Sequence, residues 1–245
     1  MREHVKNFMK SHSAIFNPIW SFAYPWLRRS DGYVASDRSE NHAAFETIYQ
    51  ENYWGSAESR SGWGSTLDYT RPMRRSLEKL MQRLGVGILL DAPCGDFNWM
   101  RHVRLPDGSR YIGGDIVAPL IADLSRFHAG PYRAFCVLDI VHDELPEADL
   151  WLCRDVLFHL PTVDVIETLR NFARSKIPYL LTTTYDFQKV NVDVKPGGFR
   201  YVNLREPPFS LPKPILKIAD FVAPAPPRYL ALWSKAQIAE SLEKA

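Results

Sequence analysis

Short apolar runs that end in an acid or a small turn recur along the chain, with amphipathic stretches between them. Residues 88–90 lead into Asp91, residues 111–115 end in Asp115, residues 133–138 close on Asp139, and residues 150–153 and 179–184 are two further runs. Apolar runs this short, bounded by turn residues, predict buried strands. Between them, residues 118–127 place Leu120, Ile121 and Leu124 on one stripe. Residues 163–173 do the same with Val163, Ile166, Leu169, Phe172 and Ala173, with Thr162 as the expected cap. Residues 72–84 predict an earlier helix, opened by Pro72 and ended by Gly85, and residues 98–103 a short one. Strands separated by helical segments imply parallel pairing with right-handed crossovers, hence a doubly wound α/β sheet. After Tyr185 the alternation breaks. Residues 211–221 predict a short helix between prolines, residues 229–233 a last strand and residues 235–242 a final helix.

Ahead of the sheet, residues 1–45 are rich in aromatics without a sustained period of 2 or 3.6, and read as an arm preceding a main domain at 46–245. Residues 46–70 read as a lid, helical at first and then a loop of glycines and serines punctuated by Trp54 and Trp63. Glycines permit unusual backbone angles and aromatic rings cover a flat ligand. Residues 186–225 read as an insertion on the acceptor side.

Composition narrows the function classes. Hydrophobic residues make up 46% of the 245 and charged residues 24%, ordinary globular values. The net charge of +2 gives no electrostatic reason to expect nucleic acid. Cys94, Cys136 and Cys153 form no CxxC pair and read as reduced thiols of a cytoplasmic protein. No run of about 18 apolar residues predicts a transmembrane helix, and the N-terminus lacks the apolar core of an export signal. The aromatic stretch at 15–27 is a candidate contact with a membrane surface or a partner, homo-oligomerisation included; the plainer reading folds it over the main domain.

The acids carry the chemistry. Asp91, Asp115 and Asp139 follow one another at intervals of 24 residues, so parallel pairing sends all three to one sheet edge. An acid at the end of the second strand is placed to accept from both hydroxyls of a ribose. The loop at 92–97 suits a pyrophosphate poorly, because Pro93 lacks an N–H and Asp96 repels phosphate. Gly95 is expected to let a ligand approach the backbone. The ligand implied contains adenosine but is neutral or cationic where a nicotinamide dinucleotide is anionic.

In this order, the strand running into Asp91-Ala92-Pro93-Cys94-Gly95, then Gly114-Asp115, Leu138-Asp139-Ile140 and Leu152-Cys153-Arg154-Asp155-Val156-Leu157-Phe158-His159-Leu160 resemble the motif set of class I S-adenosylmethionine-dependent methyltransferases, over about residues 45–240. The resemblance implies a Rossmann-like, mostly parallel, seven-stranded sheet and a small-molecule acceptor. It implies that the first loop cradles the methionine part, that Asp115 holds the ribose and that Asp139 reads the adenine amino group. The cofactor-binding candidates are Trp54, Asp91, Ala92, Pro93, Cys94, Gly95, Asn98, Trp99, Asp115, Ile116, Asp139, Ile140 and Arg154. The first loop departs from the family in having one glycine where two or three are common. Residues 52–70 and 203–209 also resemble a bacterial branch of small-molecule methyltransferases, some acting on sugars.

Methyl transfer from a sulfonium is an in-line displacement governed by positioning, and an alcohol acceptor also needs its proton removed. Asp155 and His159 share a face if their segment is helical. His159 is the candidate general base, with Asp155 as an orienting or metal-binding partner. Tyr185, Asp193, Arg200 and Asn203 are acceptor-binding candidates, with Tyr201 a further ring surface. Asp155, His159 and Asp193 are also a candidate magnesium set. The function expected is O-methylation of a small hydroxylated acceptor such as a sugar or glycan precursor. N-methylation of a small molecule and a non-catalytic binding subunit are the alternatives.

Overall fold

A computed structural model describes residues 37–244. Residues 1–36 of the arm expected over 1–45, with its candidate membrane or partner contact, lie outside the described residues. The apolar runs form seven strands: β1 (Ile88–Asp91), β2 (Arg110–Asp115), β3 (Arg133–Val137), β4 (Leu150–Cys153), β5 (Tyr179–Thr184), β6 (Leu216–Ala219) and β7 (Tyr229–Ser234). They make one sheet in the order β3-β2-β1-β4-β5-β7-β6. The first five pair in parallel, while β7 runs antiparallel to both β5 and β6.

Among the described residues five helices accompany the sheet: α1 (Arg38–Gln50), α2 (Leu67–Leu84), α3 (Ala118–His128), α4 (Thr162–Arg174) and α5 (Lys235–Lys244). Successive strand residues point to opposite faces, and the two faces carry separate cores. Leu89, Leu150, Leu152, Leu181 and Leu232 pack with Met73, Leu77 and Met81 of α2 and Leu120, Ile121 and Leu124 of α3. Leu90, Trp151, Leu180 and Trp233 pack on the other face with Val165, Leu169 and Phe172 of α4 and Ile238 of α5. Both faces are covered, which makes the sheet doubly wound. Among the described residues no helix is long and apolar enough to cross a membrane, and Cys94, Cys136 and Cys153 are free thiols.

Several boundaries differ from the sequence reading. Helix α1 is capped by Asp37, whose carboxylate accepts from Ser39 N–H at 2.9 Å, and it runs unbroken through residue 45, where the arm was expected to end. Helix α2 starts at Leu67 behind Thr66, so Pro72 lies inside it rather than opening it; the lost hydrogen bond would have gone to the exposed first turn. Its far end is closed by Gly85 in the left-handed conformation, as expected. Residues 98–103 give only a 3-10 turn at Met100–His102. Thr162 does not cap α4; Pro161 precedes the helix, and the Thr162 hydroxyl turns to the Asp193 carboxylate at 2.9 Å.

The largest difference is at 211–221, which forms edge strand β6 and no helix. Leu216 and Ile218 turn inward while Lys217 and Ala219 are exposed, a period of two that four residues are too few to announce. The flanking prolines are tolerated because the strand is at the sheet edge. Ile218→Ala is expected to lower the unfolding free energy by about 2–5 kcal/mol, the range for truncating a buried Ile, read from urea titrations followed by circular dichroism.

Candidate active site

Chain order reverses between β1 and β4, their neighbours β2 and β5 lying on opposite sides. The connections leaving the two carboxyl ends diverge there and leave a crevice. A cavity of about 350 Å³ fills that crevice, within the usual range for small-molecule sites. Asp91, Asp115 and Asp139 all border it. Each is less than one-tenth exposed. The Tyr111 hydroxyl donates to Asp91 at 2.7 Å. Asp115 accepts from the backbone N–H of Gly95 and of Val117, both at 3.1 Å. Asp139 accepts from Val141 N–H at 2.9 Å and faces His142 Nδ1 at 2.8 Å. Burial pushes the Asp91 carboxyl up to about 7 against the lowering effect of the Tyr111 hydrogen bond. It pushes Asp115 up to about 6 against its backbone donors.

Residues 51–66 fold over the cavity and are held by one side chain. Asp96 accepts from the Ser59 hydroxyl at 3.0 Å, Arg60 N–H at 2.8 Å and the Ser61 hydroxyl at 3.3 Å, while its own N–H donates to Ser61 Oγ at 2.9 Å. Gly95 sits at φ +53°, and a Cβ there would lie 2.2 Å from Ser61 Oγ. The backbone is bare at Gly95, which borders the cavity and also admits Ser61 of the covering segment. Asn98 serves the same clasp, donating to Glu58 at 2.8 Å and to the Ser65 carbonyl at 3.1 Å.

Behind the cavity lies a buried charge cluster. Arg154 reaches Asp220 at 2.9 Å, Asp155 at 3.1 Å and the Gly64 carbonyl at 2.8 Å. Arg228 lies 3.0 Å from Asp155 and donates to the Asp220 carbonyl at 2.7 Å. Burial opposes the charge of both guanidiniums, but Asp155 and Asp220 outweigh it and hold them protonated. Burial likewise pushes the Asp155 carboxyl up, and Arg154, Arg228 and the Thr183 hydroxyl more than reverse that, leaving it below the usual carboxylate range. Asp155 itself occupies φ +59°.

The remaining wall is aromatic. Trp54 lies against the His159 ring at 4.6 Å, Phe158 and Phe199 pack edge-on at 5.4 Å, and Tyr185 and Tyr201 at 5.0 Å. His159 sits in a 3-10 turn at Leu157–His159. Its Nδ1 is 2.6 Å from the Gly198 carbonyl. A carbonyl only accepts, so Nδ1 carries the proton and Nε2 the lone pair of the neutral ring.

The fold matches solved structures. Magnesium protoporphyrin IX methyltransferase from Synechocystis, solved with bound S-adenosylhomocysteine, superposes with a TM-score of 0.56 at 12% identity, over 81% of this chain and 99% of that one. The 1,6-didemethyltoxoflavin-N1-methyltransferase of Burkholderia thailandensis superposes with a TM-score of 0.55 at 15% identity, over 82% of this chain and 91% of that one. The chain has the class I methyltransferase fold. No protein-family profile and no curated protein matches it.

On this fold, fourteen of the expected side chains border one cavity: Trp54, Asp91, Pro93, Cys94, Gly95, Trp99, Asp115, Ile116, Asp139, Ile140, Arg154, Asp155, His159 and Tyr185. Ala92 and Asn98 do not. Of the acceptor candidates, Asp193, Arg200 and Asn203 are corrected. Asp193 accepts from Thr162 N–H at 2.7 Å, Arg200 donates to the Leu160 and Val192 carbonyls at 2.7 and 2.6 Å, and Asn203 donates to the Gln188 carbonyl at 2.8 Å. All three brace the 186–209 loop from outside the cavity. The magnesium set fails for the same reason. Asp193 is held by Thr162 and Arg200, Asp155 by two arginines, and no three ligating side chains are grouped for a metal among the described residues.

Sequence reasoning missed Tyr69, Phe158, Phe199, Asp220 and Arg228. Asp220 and Arg228 flank a proline-rich turn before β7; Asp220 meets Arg154 from 66 positions away and Arg228 meets Asp155 from 73, so no local pattern marks them.

Two outcomes follow from this geometry. Gly95→Ala should displace the segment that Asp96 clasps, read as faster proteolysis within residues 51–66 than in the wild type. Asp91 and Asp115 titrate above the ordinary value of 3.8, so the folded protein binds more protons than the unfolded chain between about pH 4 and 7. Their contribution is full below pH 4 and is lost as pH rises through about 7. The ligand-free melting temperature should therefore fall from pH 5 to pH 8 by more in the wild type than in Asp91→Asn.

Proposed function

We propose that this chain is an S-adenosylmethionine-dependent methyltransferase that methylates a hydroxyl group on a small acceptor. The observation that carries the reading is a single cavity with three buried carboxylates on one rim and an imidazole of defined tautomer on the other. The donor set fits the cofactor. Adenosine offers hydroxyl and amino hydrogens for carboxylates to accept, and a sulfonium is favoured beside acids, which matches the roles carried by Asp115 and Asp139 in the family. Both solved structures above were determined with bound S-adenosylhomocysteine.

When bound, the cofactor supplies a methyl carbon open to in-line attack, the carbon–sulfur electron pair returning to sulfur. The protein's part is positioning and proton removal. His159 Nε2 takes the acceptor hydroxyl proton as the new carbon–oxygen bond forms, and the Gly198 carbonyl steadies the resulting imidazolium through Nδ1–H. Asp155 is no competing base, because two arginines keep it ionised and neutralised. The clasped lid keeps water from the reacting centre. The sugar class expected from the resemblance of residues 52–70 and 203–209 gains no polar contacts from Asp193, Arg200 and Asn203, none of which borders the cavity.

Calorimetry with S-adenosylhomocysteine should show saturable binding that Asp115→Ala weakens at least tenfold; absence of binding overturns the reading. His159→Ala should lower kcat by about 10²-fold or more, the usual share of a general base, with S-adenosylhomocysteine affinity unchanged. Turnover that barely slows would instead favour an amine acceptor, which needs no strong base.

A further inference from the structure

We infer that the acceptor is an uncharged, flat aromatic alcohol of the phenol class rather than a sugar or a nucleotide sugar, an inference that rests on the methyltransferase reading above. Three observations converge on it. The wall facing the acids is built from rings on three separate segments: Trp54 from the lid, Phe158 from the turn after β4, and Tyr185 and Tyr201 from the loop after β5. Ring centroids 4.6–5.8 Å apart put these rings in contact with one another, and the faces and edges they turn to the cavity suit another ring packed against them.

The second observation is the scarcity of uncommitted polar groups. A sugar presents several hydroxyls, each needing a partner when water is excluded. Here Arg154, Asp155 and Arg228 are engaged with one another and with Asp220, and Asp193, Arg200 and Asn203 lie outside the cavity. A phenol needs far less: one acceptor for its hydroxyl proton, which His159 supplies.

The third is charge. Two arginines and two aspartates cancel within the cluster; Arg60, the further cation on the cavity lining, lies over the Tyr49 ring and donates to the Tyr49 carbonyl, and the acids of the rim repel a carboxylate or diphosphate. Arg228 also borders this wall, but its terminal nitrogen lies 3.0 Å from Asp155 and its guanidinium is hydrogen-bonded to the Tyr185 hydroxyl, so it is a committed cation.

The test uses the full chain loaded with S-adenosylhomocysteine and four probes: para-hydroxyacetophenone, para-hydroxybenzoate, methyl glucopyranoside and a uridine diphosphate sugar. Calorimetry should rank the neutral phenol at least tenfold tighter than the other three, and mass spectrometry with S-adenosylmethionine should find methyl on its oxygen. Tyr201→Leu should weaken phenol binding at least tenfold and Tyr201→Phe by less than threefold, with S-adenosylhomocysteine affinity unchanged in both. Equal affinities, or preference for either sugar or for the carboxylate, overturn the acceptor assignment while leaving the methyltransferase reading standing. Failure to bind S-adenosylhomocysteine at all overturns both.

Discussion

A guanidinium taken out of water must recover in the protein what it loses in hydration, and removing one of its partners leaves an uncompensated buried charge. Arg154, at the end of β4, is 5% exposed and meets that demand with groups from three parts of the chain. Asp220 ties it to the connection between β6 and β7, the Gly64 carbonyl to the lid, and Asp155 to the turn that carries His159. Its guanidinium also lies over Trp99, in the segment after the β1 loop. One cation thereby fixes the relative placement of sheet edge, lid and reacting wall. Arg228 doubles the arrangement, and the pair is electrically balanced by the two aspartates.

The opposite rim follows a different rule. Asp91 and Asp115 are buried without a cation in direct contact, so their charge is costly in the ligand-free protein and their carboxyls titrate high. A ligand that brings a positive centre and several hydroxyl hydrogens offsets that cost on binding, whereas an anionic dinucleotide would add to it. The same acids in contact with arginines, as Asp155 is, would already be neutralised.

Much of this was legible in the sequence. The alternation of runs and stripes announced the parallel strands, and the regular spacing of Asp91, Asp115 and Asp139 placed three acids on one edge, because strand pairing and side-chain period are local properties of the chain. Legibility failed where a segment was short or where a polar residue had two possible employers. The four residues of β6 carry too little pattern to distinguish period two from a helical turn. Arg200 and Asn203 have the side chains of a binding site, yet they brace a loop that has no regular structure to satisfy its carbonyls. Asp96 was read as an obstacle to phosphate, and it is the anchor of the lid.

By itself, then, the sequence determined the winding of the sheet, the edge at which a ligand sits and the acidic character of that edge, since each depends on residues a few positions apart. Only the tertiary structure decided which polar groups face the cavity and which are consumed in holding it. That division depends on partners such as Ser61 with Asp96 and Arg154 with Asp220, 35 and 66 positions apart, whose meeting is fixed by packing and not by any pattern along the chain.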